Sequence, residues 1–429
     1  MKKSLISLSA ALLLFSSSQA LVWADNTDTD PKQNVYVNSD VLETVSSIDL
    51  NYVLDKALKD SHNLNLLLLK YAAQGSKKGD LEQQMNDMGS PSFTPGHLPN
   101  TPTEIANTPG MPPITDPTDM AWTIMQNSAM NQMLQGMGAM AGGMNKIISS
   151  QRAQMKTAAH QLETDQRNSL LQSDEAKAGI RLQTIAQYVQ LLGQKKQLDF
   201  MQQYQAVIEK DLLKATLFAQ QGLASSDDVQ TAKKALNKQK DDIVTLTNNY
   251  RLGLVQLSTD IGISYDPNLI IKDIDPITIE PIAETDTITL LKNSYQMKMS
   301  GNNIDEAVWE TGYSVTQNTY GDSYLGANLA INGQKNEQTK LELTKKIQTT
   351  YNDAKNAYQT VLTEQRNLND VKADFEKMKF RYSVGVIAKH DLNKFELKVR
   401  QNETTLAAAK LKYYALKEKA KAMDTGFIQ

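Results

Sequence analysis

Gln221-Gly222-Leu223-Ala224-Ser225 interrupts a long helix-forming run, and Val384-Gly385-Val386-Ile387-Ala388 interrupts a second one 163 residues later. The same spacing holds around both breaks. Tyr188, Gly222, Asp228 and Tyr250 recur as Tyr351, Gly385, Asp391 and Tyr413 without one insertion. A fixed period marks repetition of one supersecondary unit and overrides a domain count taken from length. Each unit reads as two helices joined by a short turn, which forces antiparallel neighbours. Gly222 and Gly385 supply the left-handed C-cap that ends the first helix of each pair.

The helices predicted around these turns run from about 146 to 221, 226 to 261, 336 to 384 and 389 to 422. The first is Pro-free over about 75 residues, or about 110 Å at 1.5 Å per residue. Helices of that length belong to coiled coils or tubes rather than to compact cores. Ser225 or Ser226 can cap the second helix, with Asp227 and Asp228 in its favourable first turn, so Asp228 needs no catalytic role. Tyr188, Tyr250, Tyr351 and Tyr413, with the matched positions Ala232/Phe395 and Leu236/Val399, read as packing positions.

The composition agrees with long, thin, solvated helices: 6% aromatic residues and a mean hydropathy of -0.44 suit a narrow buried stripe. A net charge of -3 with interspersed signs does not favour nucleic acid. Residues 1–24 carry Lys2-Lys3, an apolar run from Leu5 to Phe15 and Val22-Trp23-Ala24, the pattern of a secretory signal cleaved after Ala24 or Ala20. Residues 25–47 read as a flexible leader. No later run approaches the roughly 20 apolar residues of a spanning helix. The absence of Cys removes disulfides, thiolate chemistry and Cys-linked lipid.

Ile48-Asp49-Leu50 opens a helix with apolar positions at Leu50, Val53, Leu54, Ala57 and Leu58, expected to continue to about Met88. Residues 90–118 hold eight of the twelve prolines and read as an extended loop. Met130, Met133, Met137, Met140 and Met144 then form a one-sided stripe, weakened by Gly136, Gly138, Gly142 and Gly143. A thioether site for Cu(I) is one reading. The regular spacing and the lack of His or Cys before His160 favour a pliable apolar face instead. Pro267, Pro276 and Pro281 punctuate an extended stretch within the linker 263–285, and Asp286 to Trp309 repeats the opening-helix pattern. Residues 312–332 alternate at Tyr313, Val315, Gln317 and Thr319 around Tyr320-Gly321-Asp322, the best β-hairpin candidate in the chain.

Nothing points to catalysis or a bound cofactor. His62, His97, His160 and His390 are scattered, and there is no nucleophile elbow or phosphate-binding Gly loop. His390 reads as a solvated polar residue beside a tip.

With its repeat, Ile48-Asp49-Leu50 before Ala57-Leu58, the tips around Gly222 and Gly385, Asp228-Val229 and Asp391-Leu392, and Tyr324-Leu325-Gly326-Ala327, the chain resembles the TolC-like outer-membrane efflux protein family. The resemblance spans repeat one (48–262, with a Pro/Met/Gly-rich insertion at 90–145) and repeat two (286–422), leaving a tail at 423–429. It implies a mainly α fold, a homotrimeric helical tunnel, and a passive conduit with no cofactor. It also implies that Gly222, Leu223, Ala224, Ser225, Gly385, Val386, Ile387 and Ala388 meet a periplasmic-type adaptor and an inner-membrane exporter. The opposite end, 90–145 and 312–332, would meet the outer membrane through β-hairpins. There the sequence departs from the pattern: no first hairpin is visible and the second has arms of roughly 8 residues, at or below the 9 to 11 of a tilted spanning strand. Periodicity alone leaves open a structural or adhesive coiled-coil surface protein with no channel.

Overall fold

The computed structural model describes residues 42–59, 61–313 and 319–429; the signal segment and most of the leader lie outside them. The fold is mainly α, as the sequence indicates. It runs β1 (Ser47–Ile48), α1 (Leu50–Lys59), α2 (His62–Asp87), α3 (Pro102–Ala106), α4 (Pro117–Gln220), α5 (Ser226–Asp260), β2 (Ile270–Ile271), α6 (Thr287–Asn293), α7 (Tyr295–Tyr313), α8 (Thr319–Ser383) and α9 (Lys389–Asp424). Helices α4 and α5 form the first antiparallel hairpin, and α8 and α9 the second. Helix α4 is the common spine, packing against α1, α2, α5, α7 and α9.

At 104 residues, α4 begins well before the expected start near 146 and is about 156 Å long at 1.5 Å per residue. Pro117 fits its first turn, where no amide donor is required, and the Asp116 carboxylate accepts the Thr118 N–H at 2.7 Å. The Met and Gly tract is therefore part of this helix. One face is tied to the Pro-rich segment by amide side chains. Asn127 donates to the Pro99 carbonyl (2.6 Å), Asn131 bonds both backbone groups of Leu98 (2.8 Å each), and Asn145 donates to the Pro91 carbonyl (2.9 Å). Gly138 lies on the same face, and a Cβ there would meet Pro95 at 3.4 Å. The five Met side chains form a separate stripe on the helix and are exposed.

The opening helix is two elements rather than one, with Ser61 capping α2. The second repeat's opening is likewise divided, into α6 and α7. Residues 43–48 are not a free leader: β1 pairs in parallel with β2, and Glu43 bridges to Ile263. The expected β-hairpin at 312–332 is overturned. Tyr313 ends α7 and residues 319–332 are helical, while 314–318 lie outside the described residues. The face of α8 turned inward here carries Gly321, Leu325, Asn328, Leu329 and Asn332, a helical spacing written largely in polar and small residues. Among the described residues, β1 and β2 are the only strands, and no helix is long and apolar enough to cross a membrane.

Three apolar clusters close the hairpins. Ile48, Val53, Tyr188, Leu191, Leu192, Leu254 and Ile271 form the first. Leu290, Leu343, Ile347, Tyr351 and Met423 build the second, and Val361, Val399, Leu406 and Tyr413 belong to the third. Helix α7 is seated on α4 by a stack of His160 on Trp309 (3.9 Å between centroids) and by Glu306, which bonds His160 Nδ1 and Thr164 Oγ1 at 2.6 Å each.

Candidate docking tips and the linker belt

Both tips close by the same backbone device. Leu223 N–H donates to the Phe218 carbonyl at 2.8 Å and Gly222 N–H to Ala219 at 3.0 Å; 163 residues on, Val386 bonds Arg381 at 2.9 Å and Gly385 bonds Tyr382 at 3.0 Å. This pair of bonds satisfies carbonyls that the helix end leaves unpaired, and it requires a left-handed residue at the turn. Gly222 and Gly385 have φ of 75° and 78°. Leu223 and Val386 follow, 71% and 65% exposed. Each tip therefore presents apolar surface to solvent on a turn fixed by its backbone, through Leu223 at the first and through Val384 and Val386 at the second.

The return helices start differently. Ser225 caps α5: its hydroxyl oxygen accepts the Asp228 N–H (3.1 Å), while Asp228 Oδ2 accepts the Ser225 N–H (2.9 Å) and hydroxyl (2.8 Å). The bonds from Ser225 hold the Asp228 carboxyl below its usual range. In the second repeat Ala388 occupies the cap position with no side-chain bond, although Asp391 stands where Asp228 does.

His390 is not the solvated residue expected. Its side chain is 18% exposed, and Nε2 lies 2.5 Å from Oδ1 of Asp211 on α4. Lys394 Nζ approaches the same oxygen at 2.8 Å. Asp211 thus ties the first hairpin to the second below the tips. Burial pushes its carboxyl pKa up, but the bonds from Lys394 and His390 outweigh this and hold it low. The sequence reading missed Asp211, although it has a repeat mate in Asp374.

At the other end of the hairpins, three of the four repeated tyrosines grip the linker 263–285. Fully buried Tyr188 donates to the carbonyls of Lys272 (2.6 Å) and Ile48 (3.2 Å). Tyr351 Oη accepts the Thr285 N–H at 3.0 Å, and Tyr413 donates to the Glu280 carbonyl. Lys195 adds a bond to the Ile271 carbonyl (3.1 Å). The linker therefore belts both hairpins in turn, while Tyr250 is half-buried against the first cluster. Among the described residues, no group of three or more His, Asp or Glu side chains could hold a metal ion.

This architecture recurs in solved structures. The outer membrane protein VceC from Vibrio cholerae aligns at a TM-score of 0.57 over 89% of this chain and 97% of its own, with 11% identity. The chain has the TolC-like outer-membrane channel fold. The Campylobacter jejuni CmeC outer membrane channel aligns at 0.55 over 96% and 91%, with 14% identity, and the outer-membrane channel OprN at 0.57 over 88% and 90%, with 11% identity. No protein-family model and no curated protein sequence matches the chain.

Proposed function

We propose that the chain is one protomer of a passive export conduit in the cell envelope, at the outer membrane or the cell surface. Three copies set their hairpins side by side around a hollow axis. The tips at Gly222–Ser225 and Gly385–Ala388 dock on a periplasmic-type adaptor, and an inner-membrane exporter supplies the energy. The observation that carries this reading is the likeness to outer-membrane channels over nearly the whole of both chains. The hairpin surfaces support it. Leu213, Val244, Leu252 and Leu341 are 58–70% exposed, and lateral neighbours would cover apolar positions that one chain leaves wet. The end built from 90–145 and 319–332 is the one that meets the membrane, with Trp122 and the Met stripe outward.

Light scattering with electron microscopy tests this. A three-fold hollow cylinder at micromolar concentration is the expected result. A chain that stays monomeric, or a solid rod, refutes the conduit and leaves the structural or adhesive coiled coil in its place.

A further inference from the structure

The two hairpins differ at a place where their shared architecture does not require it. Where the middle of α8 meets the last turns of α9, Lys345 and Lys346 from α8 and Lys419 from α9 line a cavity of about 360 Å³. Thr349, Thr350 and Gln429 line it as well, with Glu342 one turn before the lysines. Glu342, Lys345, Lys346 and Thr349 share a helical face by spacing. None of the three lysines makes an ion pair among the described residues, and Glu342 is engaged by Gln338 at 2.9 Å. Burial lowers the pKa of Lys419, Asp353 opposes that shift, and Lys346 adds to it. Like charges bordering one cavity repel, and an unpaired, half-buried ammonium is unfavourable.

The first repeat provides an internal control. At the positions 163 residues earlier stand Gly179, Leu182, Gln183, Ala186, Gln187 and Gln256. The equivalent α4 and α5 surfaces pack with no ionisable side chain at any of them. The lysines are therefore not needed to close a hairpin of this kind.

We propose that this cavity binds a doubly charged phosphate group, carried by a small soluble molecule or by a lipid headgroup. Three ammonium groups outnumber the carboxylates of Glu342 and Asp353, which leaves the cavity positive, and a phosphate monoester brings about -1.5 to -2 near neutral pH. Ammonium groups and hydroxyls are donors to phosphate oxygens. A cavity of this volume lies in the range of small-ligand sites, about 300 to 1,000 Å³.

Thermal unfolding of the full chain at constant ionic strength, with inorganic phosphate as the probe, reads out the soluble source. Cosedimentation with phosphatidylcholine vesicles, with and without phosphatidic acid, reads out the lipid source. Saturable stabilisation by phosphate, about 100-fold in the folded-to-unfolded ratio at 100 times Kd, supports the site with a soluble ligand. Selective cosedimentation with phosphatidic acid supports it with a lipid. Either response must vanish in the Lys346→Gln/Lys419→Gln double variant. Lys419→Met must also raise the Tm without phosphate and abolish the further rise with it. Equal responses from wild type and double variant, or no response to either probe, overturn the proposal.

Discussion

The difference between the two tip caps makes a prediction with a built-in control. Ser225 and Asp228 form a reciprocal box at the start of α5, whereas Ala388 leaves the first amides of α9 without a side-chain acceptor. Removing a Ser N-cap costs about 1 kcal/mol, within a range of about 0.5 to 2. For local opening at a helix end, 1 kcal/mol is about a five-fold change in amide exchange, and the range corresponds to about 2- to 30-fold. The amides of 227–229 should therefore exchange about five-fold more slowly than those of 390–392, after correction for intrinsic rates. Ser225→Ala should remove the difference. Ala388→Ser should slow 390–392 by a similar factor, because Asp391 already stands where the box needs its carboxylate. Hydrogen exchange followed by NMR or mass spectrometry at these amides is the assay. Depression of the Asp228 pKa in the folded chain means that its part of the cap is present above the ordinary value of 3.8 and is lost as pH falls through the lower folded value. The effect of Ser225→Ala should accordingly shrink in acid. Equal exchange at the two tips in the wild type, or unchanged exchange at 390–392 in Ala388→Ser, would refute the reasoning.

Other expectations follow from single contacts. Tyr188→Phe removes the buried hydroxyl that bonds the Lys272 and Ile48 carbonyls and should cost about 0.5 to 1.5 kcal/mol in denaturant unfolding, whereas Tyr250→Phe should stay within about 0.5; equal losses would argue against the belt. Val at Gly222 or Gly385 forces a β-branched residue into a left-handed turn, at least about 1 to 2 kcal/mol of local strain. Circular dichroism should then be unchanged while adaptor capture is lost, and undiminished capture at normal abundance would count against the tips as docking sites. The Asp211 tie belongs to a carboxylate with a depressed pKa, so it holds at neutral pH and is released as pH falls through the folded value. Spin labels placed by Phe218→Cys and Phe380→Cys, in a chain with no other Cys, should report a broader distance distribution in acid and in Asp211→Asn; identical distributions in all three conditions would sink the idea.

The hairpins were legible because their signals are local and redundant: Pro-free runs, a Gly at each turn, and a period that repeats both. The turn residues Gly222 and Gly385 do in the structure what their type suggests. The helices at the end away from the tips were not legible, for a physical reason. Apolar periodicity was the guide, yet the buried faces there are built from Asn127, Asn131 and Gly138 on α4 and from Asn328 and Asn332 on α8. The amides of Asn127, Asn131 and Asn332 bond backbone carbonyls and that of Asn328 bonds the Glu310 carboxylate, so the helical period is present but carries no hydrophobic mark. Tyr313, Val315, Gln317 and Thr319 then supplied a short alternation that the eye reads as a strand. The tie at Asp211 escaped because its partners lie on another hairpin, 179 residues away for His390, a distance over which no periodicity argument reaches.

The repeat also shows where equivalence stops mattering. From Tyr188 to Tyr250 and from Tyr351 to Tyr413 the register is unbroken, but α5 has 35 residues and α9 has 36. Both end in the same way: Ile263 N–H bonds the Ser258 carbonyl and Phe427 N–H bonds Ala422, each at 3.0 Å. One extra residue turns the exit direction by about 100°. After α5 the chain leaves along the linker belt. Beyond α9 it folds back instead, so that the Gly426 carbonyl accepts the Tyr295 N–H at 3.0 Å and Phe427 reaches the surface of α4 beside Gly179. Gly426 has φ of 104°, and a Cβ on it would meet the Asn293 carbonyl oxygen at 2.5 Å, which fixes its identity. The hairpins are therefore alike around their turns and unlike where they attach. The second repeat's attachment end is also the one with the lysine-lined cavity. In the conduit proposed above, a wall would need both copies alike, so the residues that distinguish them are where functions beyond the wall should be sought.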